Sequence, residues 1–147
     1  MLRILLADDC PTMRSSVRKL LEREGFEVVA EAGNGFEAID AAGKWRPDVA
    51  VLDLSMPGLD GIDGARGIAF TCPQTRVVLL TGHAQEYQIV RALQAGITAY
   101  VVKAEAAEHL ANAVREVAQG RVFLSPAPRR VAADYVVEKN GLLSLRA

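Results

Sequence analysis

Five residues in this chain are of types that handle phosphate or a metal ion, and each follows a short apolar run. Asp53 follows Val49-Ala50-Val51-Leu52 and precedes the turn-rich Leu54-Ser55-Met56-Pro57-Gly58. Asp8-Asp9 follow Leu2-Arg3-Ile4-Leu5-Leu6-Ala7, Thr81-Gly82 follow Arg76–Leu80, and Lys103 follows Ala99–Val102. If the runs are strands of one parallel sheet, three carboxylates, a hydroxyl and an ammonium share its carboxyl edge, where open α/β sheets place their ligands. Two carboxylates about 4 Å apart repel by roughly 4 kcal/mol at an effective dielectric of 20. Three therefore need a shared proton or a cation among them. Hard oxygen ligands on an open edge suit Mg²⁺, which shares its coordination sphere with water and phosphate. Lys103 can clamp a phosphoryl oxygen. Asp53 can act as a nucleophile and form an acyl phosphate, and the Thr81 hydroxyl can bond the group so transferred.

Each of these residues also has a plainer use. Asp8-Asp9 can cap the helix that opens at Pro11-Thr12, and Asp53 can begin an Asx-turn. Thr81-Gly82 can be loop chemistry, and Lys103 can be a solvated cation. What chance explains poorly is their joint appearance, each at the end of a different strand.

The elements that position them alternate regularly. Strands are predicted at Leu2–Ala7, Phe26–Glu31, Asp48–Leu52, Arg76–Leu80 and Ala99–Val102, mostly apolar as expected for strands buried on both faces. Between and after them lie helical periods: Met13, Val17, Leu20 and Leu21; Ile89, Val90 and Leu93; Leu110, Ala113, Val114 and Val117. Gly25, Gly43, Gly96 and Gly120 are read as helix ends, and Cys72-Pro73 as the stop of the third helix. Five βα units with short connections predict a flavodoxin-like, doubly wound, five-stranded parallel sheet of order 2-1-3-4-5 with five helices. After Gly120 the character changes: Ser125–Arg130 reads as a linker, and Val131–Glu138 as a short helix with Val131 and Tyr135 on one side.

Composition narrows the function classes. The chain has 147 residues, half of them hydrophobic, so one domain with a sizeable core and a short appendage is expected. Lys+Arg 17 against Asp+Glu 18 leaves a net charge of -1, which argues against this stretch gripping nucleic acid by itself. Cys10 and Cys72 lack metal spacing and read as free thiols. With no membrane-spanning or signal-peptide pattern, a cytoplasmic protein is the expectation.

From Met1 to about Leu124 the chain resembles the response-regulator receiver domains of two-component signalling. The resemblance is carried in order by Asp8-Asp9, Asp53 with Met56-Pro57-Gly58 and Gly61, then Thr81, Tyr100 and Lys103. It implies that Asp53 is the phosphoacceptor, charged from a histidine kinase's phosphohistidine. It implies Mg²⁺ held by Asp8, Asp9, Asp53 and the backbone carbonyl of Ser55. Thr81 and Tyr100 would be the switch hydroxyl and switch aromatic, Tyr100 turning inward as Thr81 moves, and Lys103 the phosphate clamp. The change would reach the face formed by helix 4, strand 5 and helix 5, favouring a homodimer or releasing an output domain.

Many receivers have proline after the lysine, in a cis bond; here Ala104 follows, so a trans bond is expected. That variation, and Gly120–Pro126, resemble the NarL/FixJ-type branch, whose members continue into a LuxR-type helix-turn-helix domain. Residues 1–122 are then the receiver, and 123–147 a linker leading to such a domain, with Leu143-Ser144-Leu145-Arg146 resembling its first residues, cut off. DNA would be bound only through that downstream part. His83 and Ser55 are candidates for tuning dephosphorylation. Cys10 is not read as catalytic, since neighbouring carboxylates disfavour a thiolate.

Other functions fit less of the pattern. A haloacid-dehalogenase-like phosphohydrolase uses an Asp-x-Asp, whereas Asp8 and Asp9 are adjacent. An FMN-binding flavodoxin-like module needs a phosphate loop where Asp8-Asp9 stand. A stand-alone interaction domain leaves the acidic set unexplained.

Overall fold

The structure, a computed structural model, describes the backbone of residues 1–138 and 141–144. Five parallel strands, β1 (Arg3–Ala7), β2 (Glu27–Ala32), β3 (Val49–Asp53), β4 (Arg76–Thr81) and β5 (Ala99–Val102), form the sheet expected from the sequence. A two-residue strand, β6 (Phe123–Leu124), extends it, giving the order β2-β1-β3-β4-β5-β6. β1 and β3 are neighbours, with Ala7 opposite Leu52. Asp8 and Asp53, one residue beyond that pair, are thereby brought side by side.

Alternation along the strands divides the core in two. Ile4, Leu6, Val49, Val51, Val78, Leu80, Ala99 and Val101 face α1 (Pro11–Arg23) and α5 (Ala106–Ala118). Leu5, Ala7, Ala50, Leu52, Leu79 and Tyr100 face α2 (Gly35–Trp45), α3 (Gly61–Thr71) and α4 (Glu86–Gln94). The apolar helix faces read from the sequence are the ones that pack: Val17, Leu21, Ile89, Leu93, Leu110, Ala113, Val114 and Val117 are all buried. Burying a side chain of this size contributes about 1.5–3 kcal/mol, so β1 and β3 are anchored on both faces and hold their terminal residues in place.

Three expectations need correction. Gly43 does not end a helix; α2 continues to Trp45, and Arg46 takes the left-handed turn at φ 47°. The stretch Ser125–Arg130 is not an open linker: Pro126–Val131 forms a helix, α6, because proline at the first helical position has its φ preset and lacks only an N–H that would be unpaired there. Finally, the helix expected over Val131–Glu138 is not formed: Val131 ends α6. A 3-10 turn (Ala132–Asp134) leads into β7 (Tyr135–Glu138), which pairs antiparallel with β8 (Gly141–Ser144). Of the motif Leu143–Arg146, Leu143 and Ser144 end β8; Leu145, Arg146 and Ala147 lie outside the described residues.

The approach of α3 to β3 leaves no room for a side chain at Gly61. A Cβ there would run into the Asp53 carbonyl oxygen and lie 2.9 Å from Leu54 Cα, both backbone atoms that cannot swing aside. Overpacking of this kind costs about 1–3 kcal/mol. Gly61→Ala is expected to lower stability by that amount in urea unfolding, and an unchanged midpoint would refute the close approach.

Candidate functional site: an acidic cluster at the carboxyl edge

The carboxyl ends of β1, β3 and β5 meet at one place. One oxygen from each of Asp8, Asp9 and Asp53 lies within 4.8 Å of the others. Asp8 and Asp53 are 1% and 4% exposed, while Asp9 faces solvent. Lys103 Nζ donates to Asp53 Oδ2 at 3.1 Å and lies 3.7 Å from Asp8 Oδ2. The sequence expectation that these four residues converge is thus met in space.

The local backbone uses half of each buried carboxylate and leaves the other half for the site. Asp8 Oδ1 accepts from the Cys10 amide at 2.9 Å, the first amide before α1. Asp53 Oδ1 accepts from the Ser55 amide at 3.2 Å, an Asx-type turn. The plainer uses considered for these residues are therefore real, but they occupy one oxygen each. Asp8 Oδ2 is buried with no hydrogen-bond partner, its facing cation being Lys103 at 3.7 Å, and a buried charged oxygen without a hydrogen bond is costly. One oxygen each from Asp8, Asp53 and exposed Asp9, the first of them buried without a hydrogen bond, fit a small, hard divalent cation. The cluster fits a Mg²⁺ site.

The electrostatics follow from burial. Burial pushes the Asp53 carboxyl above its ordinary pKa; the Lys103 hydrogen bond opposes this, and the charge of Asp8 adds to it. Burial works against the Lys103 ammonium, but its bond to Asp53 and the charges of Asp53, Asp8 and Asp9 outweigh it and hold its pKa above the usual value.

Thr81 ends β4, buried and opposite Val102 of β5. Tyr100, in the same strand pairing, is 1% exposed, so the aromatic is already inside. Burial pushes its hydroxyl up to about 12; Thr81 is near enough to draw it back, yet the Tyr100 hydroxyl completes no hydrogen bond of good geometry. His83 and Ser55 are exposed at the rim. No cis peptide is present among the described residues, so Lys103-Ala104 is trans as expected.

Sequence reasoning missed several supports. Arg14 on α1 donates to the Asp8 carbonyl at 2.6 Å and to Glu31 at 2.9 Å. Arg91 on α4 bonds Asp60 at 2.7 Å and Asp63 at 3.1 Å, fastening α4 to the first turn of α3. Glu105, two residues after Lys103, binds Ser125. Partners this far apart in the chain leave no local spacing signal.

A doubly wound sheet with an acidic cluster and a lysine at its carboxyl edge defines a class of phosphate-handling α/β domains, and comparison with known proteins narrows it. Residues 4–115 match the model of the response regulator receiver domain. The chain belongs to that family: it is a receiver domain of two-component response regulators. It is 35% identical over 145 residues to a nitrate/nitrite response regulator protein homolog of Haemophilus influenzae, covering 98% of this chain and 70% of that protein. A putative transcriptional regulator of Pseudomonas aeruginosa is 38% identical over 122 residues, 83% of this chain and 59% of that one. Among solved structures, a LuxR-family two-component response regulator from Aurantimonas sp. SI85-9A1 superposes with a TM-score of 0.86 at 34% identity, covering 90% of this chain and 96% of that one. The receiver domain of the putative response regulator NarL from Mycobacterium tuberculosis gives 0.77 at 34% identity, covering 82% and 98%. The expected family, fold class and NarL/LuxR relationship are borne out. No described helix is long and apolar enough to cross a membrane.

A carboxyl whose pKa is raised by folding stabilises the protein below its unfolded pKa, and that contribution is lost as pH rises through the folded value. Wild type therefore carries a penalty at neutral pH that Asp53→Asn removes. In metal-free buffer, the melting temperature of Asp53→Asn relative to wild type should be higher at about pH 7 than at about pH 4. An advantage that is equal at both, or larger in acid, would contradict the raised pKa.

Proposed function

We propose that Asp53 is the phosphoryl acceptor of this receiver domain. The observation that carries this reading is the setting of Asp53: its Oδ1 is taken by the Ser55 amide, its Oδ2 is bonded by Lys103, and Asp8 Oδ2 stands beside it without a hydrogen bond. Asp53 Oδ2 attacks the phosphorus of a histidine kinase's phosphohistidine. The new P–O bond forms as the P–N bond breaks, and the imidazole nitrogen leaves with the electron pair and takes a proton. Asp8, Asp9, Asp53 and the Ser55 carbonyl would hold Mg²⁺, which would offset the clustered carboxylates and the charge on the phosphoryl oxygens.

Lys103 moves its hydrogen bond from the Asp53 carboxylate to a phosphoryl oxygen. Phosphorylation adds about two negative charges and several acceptor oxygens, which draw the Thr81 hydroxyl; Tyr100, beside it, registers the change. The output is a phosphorylation-dependent homodimer or a released downstream domain. Residues 123–147 connect the receiver to that domain, and DNA binding in transcriptional control resides there. A cytoplasmic location goes with a kinase partner of this kind. Autophosphorylation and hydrolysis are slow side chemistry of the switch, not turnover of a substrate. His83 and Ser55, exposed at the rim, set the rate of phosphoryl loss.

An acyl phosphate donor with Mg²⁺ should give one phosphoryl adduct by intact mass. Asp53→Asn or chelation of the metal should abolish it, and Lys103→Ala should slow it by about 100-fold, the scale for losing one preorganised charge contact in phosphoryl or acyl transfer. Thr81→Ala should still take up the adduct but lose the conformational response. An adduct on Asp53→Asn at the wild-type rate would sink the assignment.

Mg²⁺ should also stabilise wild type, by about 2.7 kcal/mol at a hundred times its dissociation constant, read as a melting temperature that rises with ion concentration. Asp8→Asn should flatten that dependence, and an identical Mg²⁺ response in Asp8→Asn would exclude it as a ligand.

A further inference from the structure

The chain beyond the last long helix is bonded directly to the strand and turn that carry Tyr100 and Lys103. β6 pairs with β5 only through Ala99↔Phe123 and Tyr100↔Leu124. Ser125 then continues the ladder in an unusual way. Its amide donates to the Tyr100 carbonyl at 3.0 Å. Its hydroxyl accepts from the Val102 amide at 3.1 Å and donates to Glu105 Oε1 at 2.7 Å. Ser125 is fully buried, so this hydroxyl bridges two backbone segments out of reach of water.

Glu105 completes the arrangement. It closes the 3-10 turn Lys103–Glu105, and its carboxylate also accepts from the Ala127 amide, 3.2 and 3.3 Å from its two oxygens. Ser125 offers its own helix no side-chain cap; the carboxylate from the β5–α5 turn caps α6 instead, satisfying an amide of the first turn. Ser125's hydrogen bond is the main influence holding the Glu105 carboxyl below its usual range. α6 in turn rests on β5 and α4, and β8 also lies against α4.

We propose that Ser125, Glu105 and the Ala127 amide form a latch that senses the state of the acidic site, holding α6 on the α4–β5 edge until modification of Asp53 loosens it. The inference rests on Asp53 being the phosphoryl acceptor. Lys103 now sits 3.1 Å from Asp53 Oδ2, where a phosphoryl group must enter. Lys103 and Glu105 belong to one three-residue turn, so a shift of the lysine displaces the carboxylate. The long contacts to Ala127 give way first. Val102, whose amide the latch holds, lies opposite Thr81, so a movement of the hydroxyl strand reaches the same point. With the latch open, α6 is free to leave the α4–β5 edge.

Hydrogen–deuterium exchange over residues 123–131 tests this, with intact mass on the same samples. On treatment with an acyl phosphate and Mg²⁺, wild type should take up the adduct and exchange in this segment at least about tenfold faster, as expected when a local opening becomes easier. Glu105→Ala, a change at the partly exposed end of the latch, should show the faster exchange before treatment, gain little on treatment, and take up the adduct as wild type does. Ser125→Ala should do the same; should it prove unfolded by circular dichroism, Glu105→Ala decides alone. An adduct on Asp53 with exchange over 123–131 unchanged would overturn the latch and leave the phosphoacceptor reading intact. Wild-type protection in Glu105→Ala would also overturn it. Absence of any adduct in wild type would overturn the phosphoacceptor reading and the latch with it.

Discussion

Three carboxylates held close together at one sheet edge are the constraint around which this molecule is built. Asp8 and Asp53 are nearly inaccessible to water, so neither can relieve its charge by solvation, and a pair at 4 Å costs roughly 4 kcal/mol at an effective dielectric of 20. Only a rigid frame can sustain that. β1 and β3 provide it, because every residue of β3 is buried and β1 is buried from Ile4 to Ala7. The adjacent pairing of these two strands, produced by the crossover through β2, places the acids together. Burial raises the pKa of Asp53, and the charge of Asp8 adds to the rise.

What offsets the repulsion is a single cation at the rim. Lys103 enters from a short turn at the edge of the sheet and is a quarter exposed. Around the fixed acids lie elements that add polar contacts to their core packing: α4 by Arg91 to Asp60 and Asp63, and α6 by Glu105 to Ser125 and Ala127. Exposed and part-exposed ion pairs contribute only about 0–1 kcal/mol each. Such ties are small beside the burial that anchors β1 and β3.

How far the sequence reveals this depends on the kind of physics involved. The strands were legible because burial on both faces forces unbroken apolar runs, and the site residues because each sits where a run stops. Helix ends were less so. Gly43 looked like a terminus, yet the turn fell to Arg46, which tolerates the left-handed region at φ 47°. Pro126 and Pro128 read as linker, whereas Pro126 starts a helix and Pro128 is buried in it. In Tyr135–Glu138, the β-branched Val136-Val137 pair was the better guide to a strand than the spacing of Val131 and Tyr135 was to a helix. Contacts such as Arg91 with Asp60, or Ser125 with Glu105, join residues that only the finished fold brings together, and no local pattern marks them.

The sixth strand changes how the carboxyl edge should be regarded. In a five-stranded sheet β5 would be an open edge, its amides and carbonyls available to another chain. Here Phe123 and Leu124 cover its first half, and a single serine hydroxyl finishes the pairing at Val102. The cover is thin where it meets the site: two ladder residues, one hydroxyl and one carboxylate. An edge closed by so few bonds is protected against adventitious pairing yet can be uncovered by a local event. That combination is what an edge needs if it is to be exposed only in one chemical state of Asp53.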